Sequence, residues 1–239
     1  MPEYKRVLLK LSGEALKGGH EDILDNKVLH DFAKVMKQVV DLNVQVGIVV
    51  GGGNIWRGRV ASEFGLDRAN ADYMGMTATI INALVLKDIL NVSGIKAEAT
   101  TCLDMPGIIQ SYDVDKANKL LDEGYVVIFG GGTGKPFLST DTAAAMRAKD
   151  IHADALLSGK NGVDGYYSGN PDTDPNAKFY PFISYEDIIK QDLQAMDIPA
   201  IKICQENDIK IRVFNINDLE NILKVIQGST MGTYIGKEK

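Results

Sequence analysis

The sequence predicts an α/β fold with a mainly parallel central sheet, on three observations. Short runs rich in Val, Ile and Leu recur at residues 6–11, 44–50, 125–129 and 153–157. Each run leads into glycine, at Ser12-Gly13, Gly51-Gly52-Gly53, Gly130-Gly131-Gly132 and Ser158-Gly159. Stretches of helical periodicity lie between them, as at 26–42 and 115–123. An apolar run without polar alternation is the pattern of a strand buried on both faces, and glycine lets the chain turn sharply afterwards. Strand, glycine turn, helix, repeated four times, selects α/β architecture.

The elements follow in order. RVLLKL is the first strand, 26–42 the first helix and the 44–50 run the second strand. ADYMGMTATIINALVLKDIL, residues 71–90, is a helix apolar nearly all round, which must be buried on several sides, in the core or against another subunit. TDTAAAMRAK opens on Thr140-Asp141, a conventional helix N-cap region. Residues 161–181 are polar and turn-rich, with 163–167 as the ordered part of a hairpin. A helix over 192–206, a strand over 209–214, a helix over 218–226 and a closing strand over 233–235 complete the chain. No linker or repeat divides it, so 1–239 reads as a single domain.

In such sheets ligands bind outside the carboxyl ends of the strands. All four glycine turns sit at those ends, where backbone N–H groups and helix N-termini favour phosphate. Lys10, Arg57, Lys135 and Lys160 stand in or beside the turns, which turns a set of tight loops into a candidate polyphosphate site. The common nucleotide motifs fail on inspection. Phe129 stands where a P-loop needs its upstream Gly, and Pro136 follows Gly134-Lys135; Trp56 stands where G-x-G-x-x-G needs its last Gly. The protein-kinase signatures are absent as well.

Composition narrows the function classes. With 45% hydrophobic and 24% charged residues the chain is an ordinary folded protein. A net charge of −6 disfavours a sequence-independent grip on nucleic acid. Two cysteines and three scattered histidines supply neither a disulfide framework nor a zinc site. No apolar run reaches the roughly 20 residues that span a bilayer, and the N-terminus enters a strand pattern directly, so a cytoplasmic location is expected.

The stretches RVLLKLSGE, GIVVGGGNIWRG, DYMGMTATIINAL, GGTGKPFLSTDTAAA, NGVDGYYSGNP and IRVFNI together resemble the amino acid kinase fold family, in its bacterial-type UMP kinase branch, from about residue 4 to 235. GGGNIWRG, Asp72-x-Met74-Gly75-Met76 and Gly132-Thr133-Gly134-x-Pro136-Phe137 carry the branch-specific part. The resemblance implies a three-layer α/β/α fold, with a UMP-binding part over about 1–150 and an ATP-binding lobe over about 151–239. It implies reversible transfer of the ATP γ-phosphoryl group to UMP, with Mg²⁺ bound mainly through the nucleotide phosphates and no dedicated protein metal site. It also implies a homohexamer; and since UTP presents the same uracil and ribose as UMP, UTP is expected to compete with UMP and inhibit. Relatives activated by GTP carry a Gly-Phe-Gly-type stretch where this chain has GGHEDILDN at 18–26, so the likeness does not extend to GTP activation.

Residue by residue, the resemblance implies that Lys10, Leu11, Ser12 and Gly13 hold the ATP phosphates, with Lys10 near the transferred group. Gly52 faces UMP and Gly53 faces ATP, and Arg57 offers a fork of donors to phosphate. Asp72 takes the UMP ribose hydroxyls. The loop Thr133, Gly134, Lys135, Pro136, Phe137, Leu138, Ser139 and Thr140 reads the pyrimidine. Asn161, Tyr167 and Asn170 hold the ATP base and ribose, although relatives commonly carry Asp where Asn170 stands. Asp141 orients Lys10 or a water on Mg²⁺. Plainer readings stand beside these: a snorkelling Lys10, a solvated Arg57, and Asp72 or Asp141 as helix N-terminal charges. Other classes remain open too, namely a carboxylate or carbamate kinase on the same fold, or a non-catalytic nucleotide- or oxyanion-binding member.

Overall fold

The computed structural model describes residues 2–18, 22–169, 171, 173–174, 176–193 and 196–237. Arg6–Leu11 forms β1, followed by a short 3₁₀ turn at Gly13–Leu16. Asn26–Asp41 is α1, capped by the Asp25 carboxylate on Val28 N, and Gln45–Val50 is β2. Gly58–Glu63 (α2) leads into the long α3, Arg68–Val92, and then Ala97–Thr101 (β3) and Gln110–Ser111 (β4). Val114–Asp122 (α4), Val126–Gly130 (β5), Thr140–Asp150 (α5) and Ala155–Lys160 (β6) follow. Tyr166–Tyr167 (β7) pairs antiparallel with Phe179–Tyr180 (β8) in a small separate ribbon. Phe182–Ser184 (β9), Tyr185–Gln191 (α6), Ile198–Glu206 (α7), Lys210–Asn215 (β10), Glu220–Ile226 (α8) and Thr233–Gly236 (β11) end the described chain.

The main sheet has the order β4-β3-β5-β2-β1-β6-β10-β11-β9, and every neighbouring pair is parallel except β10–β11. Side chains of each strand alternate between two cores. Val7, Leu9 and Leu11 of β1 face α1, α3 and α8, whereas Leu8 packs with α4, α5 and α7. That alternation gives the expected three layers. From β1 the chain crosses to β2 on one side, while β5 returns through α5 to β6 on the other. The strand order therefore reverses at β1, and a crevice opens above the carboxyl ends of β2, β1 and β6.

Several expectations change. The fourth apolar run does not end at Gly159: β6 continues to Lys160, paired with Asn215. A Cβ at Gly159 would lie 2.4 Å from Ile216 Cδ1, so this glycine serves close packing rather than a turn. The helix drawn over 192–206 begins only at Ile198, because Pro199 belongs in a first turn and Asp197 caps it. A separate helix, α6, precedes it and ends at Asp192 in left-handed conformation. β3, of sequence AEATT, has no apolar run to announce it. The helix expected over 71–90 starts earlier, at Arg68 on an Asp67 cap, so Asp72 lies inside it and is no N-terminal cap. By length and composition α3 could cross a membrane, but 44% of that window is buried within the fold.

Candidate functional site

The crevice is built on one buried charge cluster. Lys10 breaks β1 near its carboxyl end and is 8% exposed. Its Nζ lies 3.0 Å from Asp141 Oδ1, and Lys160 Nζ, from the last residue of β6, lies 3.2 Å from Asp141 Oδ2. The true N-cap of α5 is Ser139, whose Oγ accepts from Thr142 N, so Asp141 is free of capping and faces the two lysines. Burial pushes the Asp141 carboxyl up, but the two ammoniums outweigh it and hold it below its ordinary value. Burial, then repulsion from Lys10, lowers Lys160 despite the carboxylate. The result is a buried anion between two cations, one positive charge in excess, facing the glycine turns. The snorkelling alternative for Lys10 does not survive this geometry; Asp141 stands in the first turn of α5, where its charge also suits the helix N-terminus, but it is not the cap.

The turns around the cluster are close-packed. A Cβ on Gly13 would fall 2.5 Å from Asn54 Oδ1 and 2.6 Å from Gly51 O, and one on Gly52 would fall 2.8 Å from Gly75 O. Gly53 has room for a Cβ, with Glu14 at 3.6 Å as its nearest neighbour. Leu11 turns its side chain into the core, leaving only its backbone near the crevice, where its carbonyl accepts from Gly51 N. Ser12 precedes the 3₁₀ turn and makes no side-chain cap bond. Arg57 is half exposed at the rim and pairs with Glu14 Oε1 at 2.6 Å.

A cavity of about 340 Å³ opens beside this cluster, lined by Gly52, Gly53, Asp72, Leu138, Ser139 and Thr140 with Trp56, Met76, Thr79 and Gly132 among the rest. It thus gathers three widely separated stretches of chain, 52–58, 71–79 and 132–140. Asp72 Oδ2 accepts from Phe137 N at 2.7 Å, tying α3 to the loop across a sequence separation of 65. Thr133 Oγ1 bonds both ends of Lys135, and Gly134 takes φ 75°, so this part of the loop is a closed turn. Thr133, Gly134, Lys135, Pro136 and Phe137 do not line the cavity; they frame it. Phe137, itself at φ 67°, is exposed beneath the Arg68 guanidinium.

Asn161 lies elsewhere, in a second cavity of about 330 Å³ with Glu14, Ala15, Gly18, Val28, Ile216, Asn217 and Leu219. Tyr167 does not line it; its ring meets Phe179 edge-on at 5.3 Å. Asn170 lies outside the described residues, as do residues 19–21 of the 18–26 segment. A larger cavity of about 650 Å³, at the β3–β4 edge, is remote from the charge cluster.

Sequence reasoning set Lys160 among the cations of a candidate polyphosphate site without assigning it to a nucleotide, named Trp56 only as the residue that breaks a motif, and gave no role to Glu14 or Asn217. Trp56 carried a signal: the one tryptophan of the chain occupies the position that breaks the dinucleotide motif, and its Nε1 donates to Ala71 O in the cavity wall.

The family model described as the amino acid kinase family matches residues 5–215. The chain belongs to the amino acid kinase family. Within this family it is 48% identical over 233 residues to the uridylate kinase of Limosilactobacillus reuteri, covering 98% of this chain and 97% of that one. Its fold matches the crystal structure of UMP kinase from Bacillus anthracis with a TM-score of 0.95 at 37% identity, covering 100% of this chain and 98% of that one. UMP kinase from Ureaplasma parvum matches at 0.92 and 37%, with 98% and 99% covered. Uridylate kinase from Archaeoglobus fulgidus matches at 0.74 and 30%, with 99% and 100% covered.

Proposed function

We propose that this chain is a UMP kinase, a nucleoside monophosphate phosphotransferase that moves the ATP γ-phosphoryl group reversibly to UMP, giving UDP and ADP. The observation that carries the reading is the Lys10–Asp141–Lys160 cluster beside a glycine-walled cavity, in a chain nearly half identical to a uridylate kinase.

The reaction brings two anions together, so positioning and charge neutralisation are what the protein must supply. In our reading UMP occupies the 340 Å³ cavity, its ribose on Asp72 and its base against the 133–140 loop. Gly52 lets backbone approach its phosphate. ATP lies along Lys10, Ser12, Gly13 and Gly53, with its base and ribose toward Asn161, Tyr167 and Asn170. Residues 1–150 thereby serve mainly the acceptor and 151–239 the donor nucleoside, within one domain. Lys10 and Lys160 face the transferred group, where two desolvated ammoniums stabilise charge spread over its oxygens. Asp141 holds both in place, and Arg57 swings from Glu14 to phosphate at the rim.

An ionised carboxylate at Asp141 suits a water of hydration on Mg²⁺ carried by the ATP phosphates. The ion would neutralise phosphate oxygens during transfer; Asp141 would orient its water.

Three finer readings accompany this one. UTP presents the same uracil and ribose as UMP and inhibits by competing with it, while GTP does not activate. The protein is a homohexamer assembled through α3, whose Tyr73, Met74 and Ile81 are each more than 40% exposed. Its place is the cytoplasm, where both nucleotides are found, with neither nucleic acid nor membrane as a partner.

Coupled ADP-release assays across UMP, CMP, dTMP and acidic amino acids test the assignment, and adding UTP or GTP over a UMP titration tests the regulation. Turnover is expected with UMP above all. Activity confined to an acidic amino acid, or none with any acceptor, would overturn the assignment. UTP inhibition that persists at saturating UMP would show a separate site.

A further inference from the structure

We infer that Asn54 and Asn82 form a positioning pair that fixes the distance between the donor and acceptor phosphate cradles. The inference rests on the UMP kinase reading and deepens it. The two carboxamides bond reciprocally: Asn82 Nδ2 donates to Asn54 Oδ1 at 2.8 Å, and Asn54 Nδ2 donates to Asn82 Oδ1 at 3.1 Å. Each has a second proton to give. Asn82 spends it on Gly51 O at 2.8 Å, and Asn54 on Ile23 O at 2.9 Å. Asn82 is fully buried in α3, where water cannot replace these bonds.

The pair touches the turns after β1 and β2, from behind the faces that the nucleotides would occupy. Gly13 rests directly on it, since a Cβ there would sit 2.5 Å from Asn54 Oδ1 and 2.9 Å from Gly53 N. Gly51 N in turn donates to Leu11 O, so the turns after β1 and β2 are locked to one another. Asn82 lies ten residues beyond Asp72 on the same helix, about 15 Å at 1.5 Å per residue. α3 therefore grips the acceptor loop at Phe137 and, at Gly51, the turn after β2 that packs on the donor's Gly13. A mid-helix asparagine has poor propensity and a buried one needs all its partners, which a merely apolar contact in this place would not.

A misplacement of 1 Å between reacting groups costs on the order of 100-fold in rate. Substrates keep their own contacts in such a variant, so turnover falls without loss of affinity. The test uses Asn82→Ala, Asn54→Ala and the double variant, each compared with the parent for kcat, for the Kd of UMP and of ATP measured singly by calorimetry, and for Tm. Either single variant is expected to lower kcat at least tenfold, with both Kd values within about threefold of the parent. The double variant is expected to be no slower than the slower single, because the two side chains act as one unit. Variants that keep their kcat, or lose it by weakened binding of one substrate, overturn the inference; so does a lower Tm with unchanged kcat per folded molecule. Should Asn82→Ala not fold, Asn54→Ala, which removes the pair from the half-buried loop side, decides alone. A parent that transfers nothing to UMP overturns the proposed activity instead, and is seen before any variant is made.

Discussion

Replacing Asp141 by Asn keeps the shape of the side chain and removes the only charge between two ammoniums 3.0 and 3.2 Å away. The side chains of Lys10, Asp141 and Lys160 are 10%, 15% and 19% exposed, so solvent screens the loss weakly. Breaking a buried pair by removing one partner costs about 3–5 kcal/mol, because the other partner stays buried and uncompensated. For a chain of this length that is roughly 6–20 °C in Tm, at 2–4 °C per kcal/mol. The pH dependence has a definite sign. The folded-state value of Asp141 lies below its ordinary 3.8, so its contribution is present above pH 3.8 and is lost as pH falls through the folded value. Lys160 is lowered in the folded state, first by burial. Unfolding therefore takes up protons between its folded value and 10.5, and stability rises with pH through that window as its ammonium discharges. Without the carboxylate Lys160 falls further, so the difference between parent and variant is widest near neutrality and closes toward both extremes. ATP brings its own negative charge and should stabilise the variant at least as much as the parent. Thermal melts from pH 3 to 10 with and without ATP, alongside ADP release, measure all of this. A variant within 2 °C of the parent at neutral pH and retaining half its turnover would refute the role of Asp141 as counter-ion and organiser.

Arg57→Ala should leave the fold intact, since what is lost is exposed rim contacts with Glu14 and the Gly53 carbonyl, and should lower turnover with UMP by roughly 10- to 150-fold, the worth of a charged hydrogen bond at about 1.5–3 kcal/mol; equal rates over a UMP titration would place Arg57 outside the site. Asp72→Asn should raise the UMP requirement more than the ATP requirement, because a carboxylate facing the cavity also anchors Phe137 N; a variant whose ATP dependence changes most would assign Asp72 to the wrong substrate. Light scattering at micromolar concentration should give a hexamer, and a species of 26.0 kDa would remove α3 as a subunit interface.

The sequence by itself determined the parallel sheet, the crevice and most residues around it, because those signals are local. An apolar run encodes a buried strand, and a glycine after it encodes a turn, whatever the rest of the chain does. Gly132 and Gly134 are there for positive φ, whereas Gly13 and Gly52 are there because backbone from elsewhere approaches too closely for a Cβ, and Gly131 answers to both demands. The first kind follows from local geometry; the second acquires its reason only in three dimensions. β3 escaped notice since Ala-Glu-Ala-Thr-Thr owes its strand to pairing with β5 and β4 on either side. The start of α7 at Ile198 rather than 192 is legible in Pro199, a local signal that belongs in a first turn. What only the tertiary structure decided are the pairings across long separations: Asp72 with Phe137, Lys10 and Lys160 with one carboxylate, and Asn54 with Asn82. A charge or an amide has the same propensity wherever it stands. Its role is fixed by the partner that folding sets beside it and by the water that folding removes.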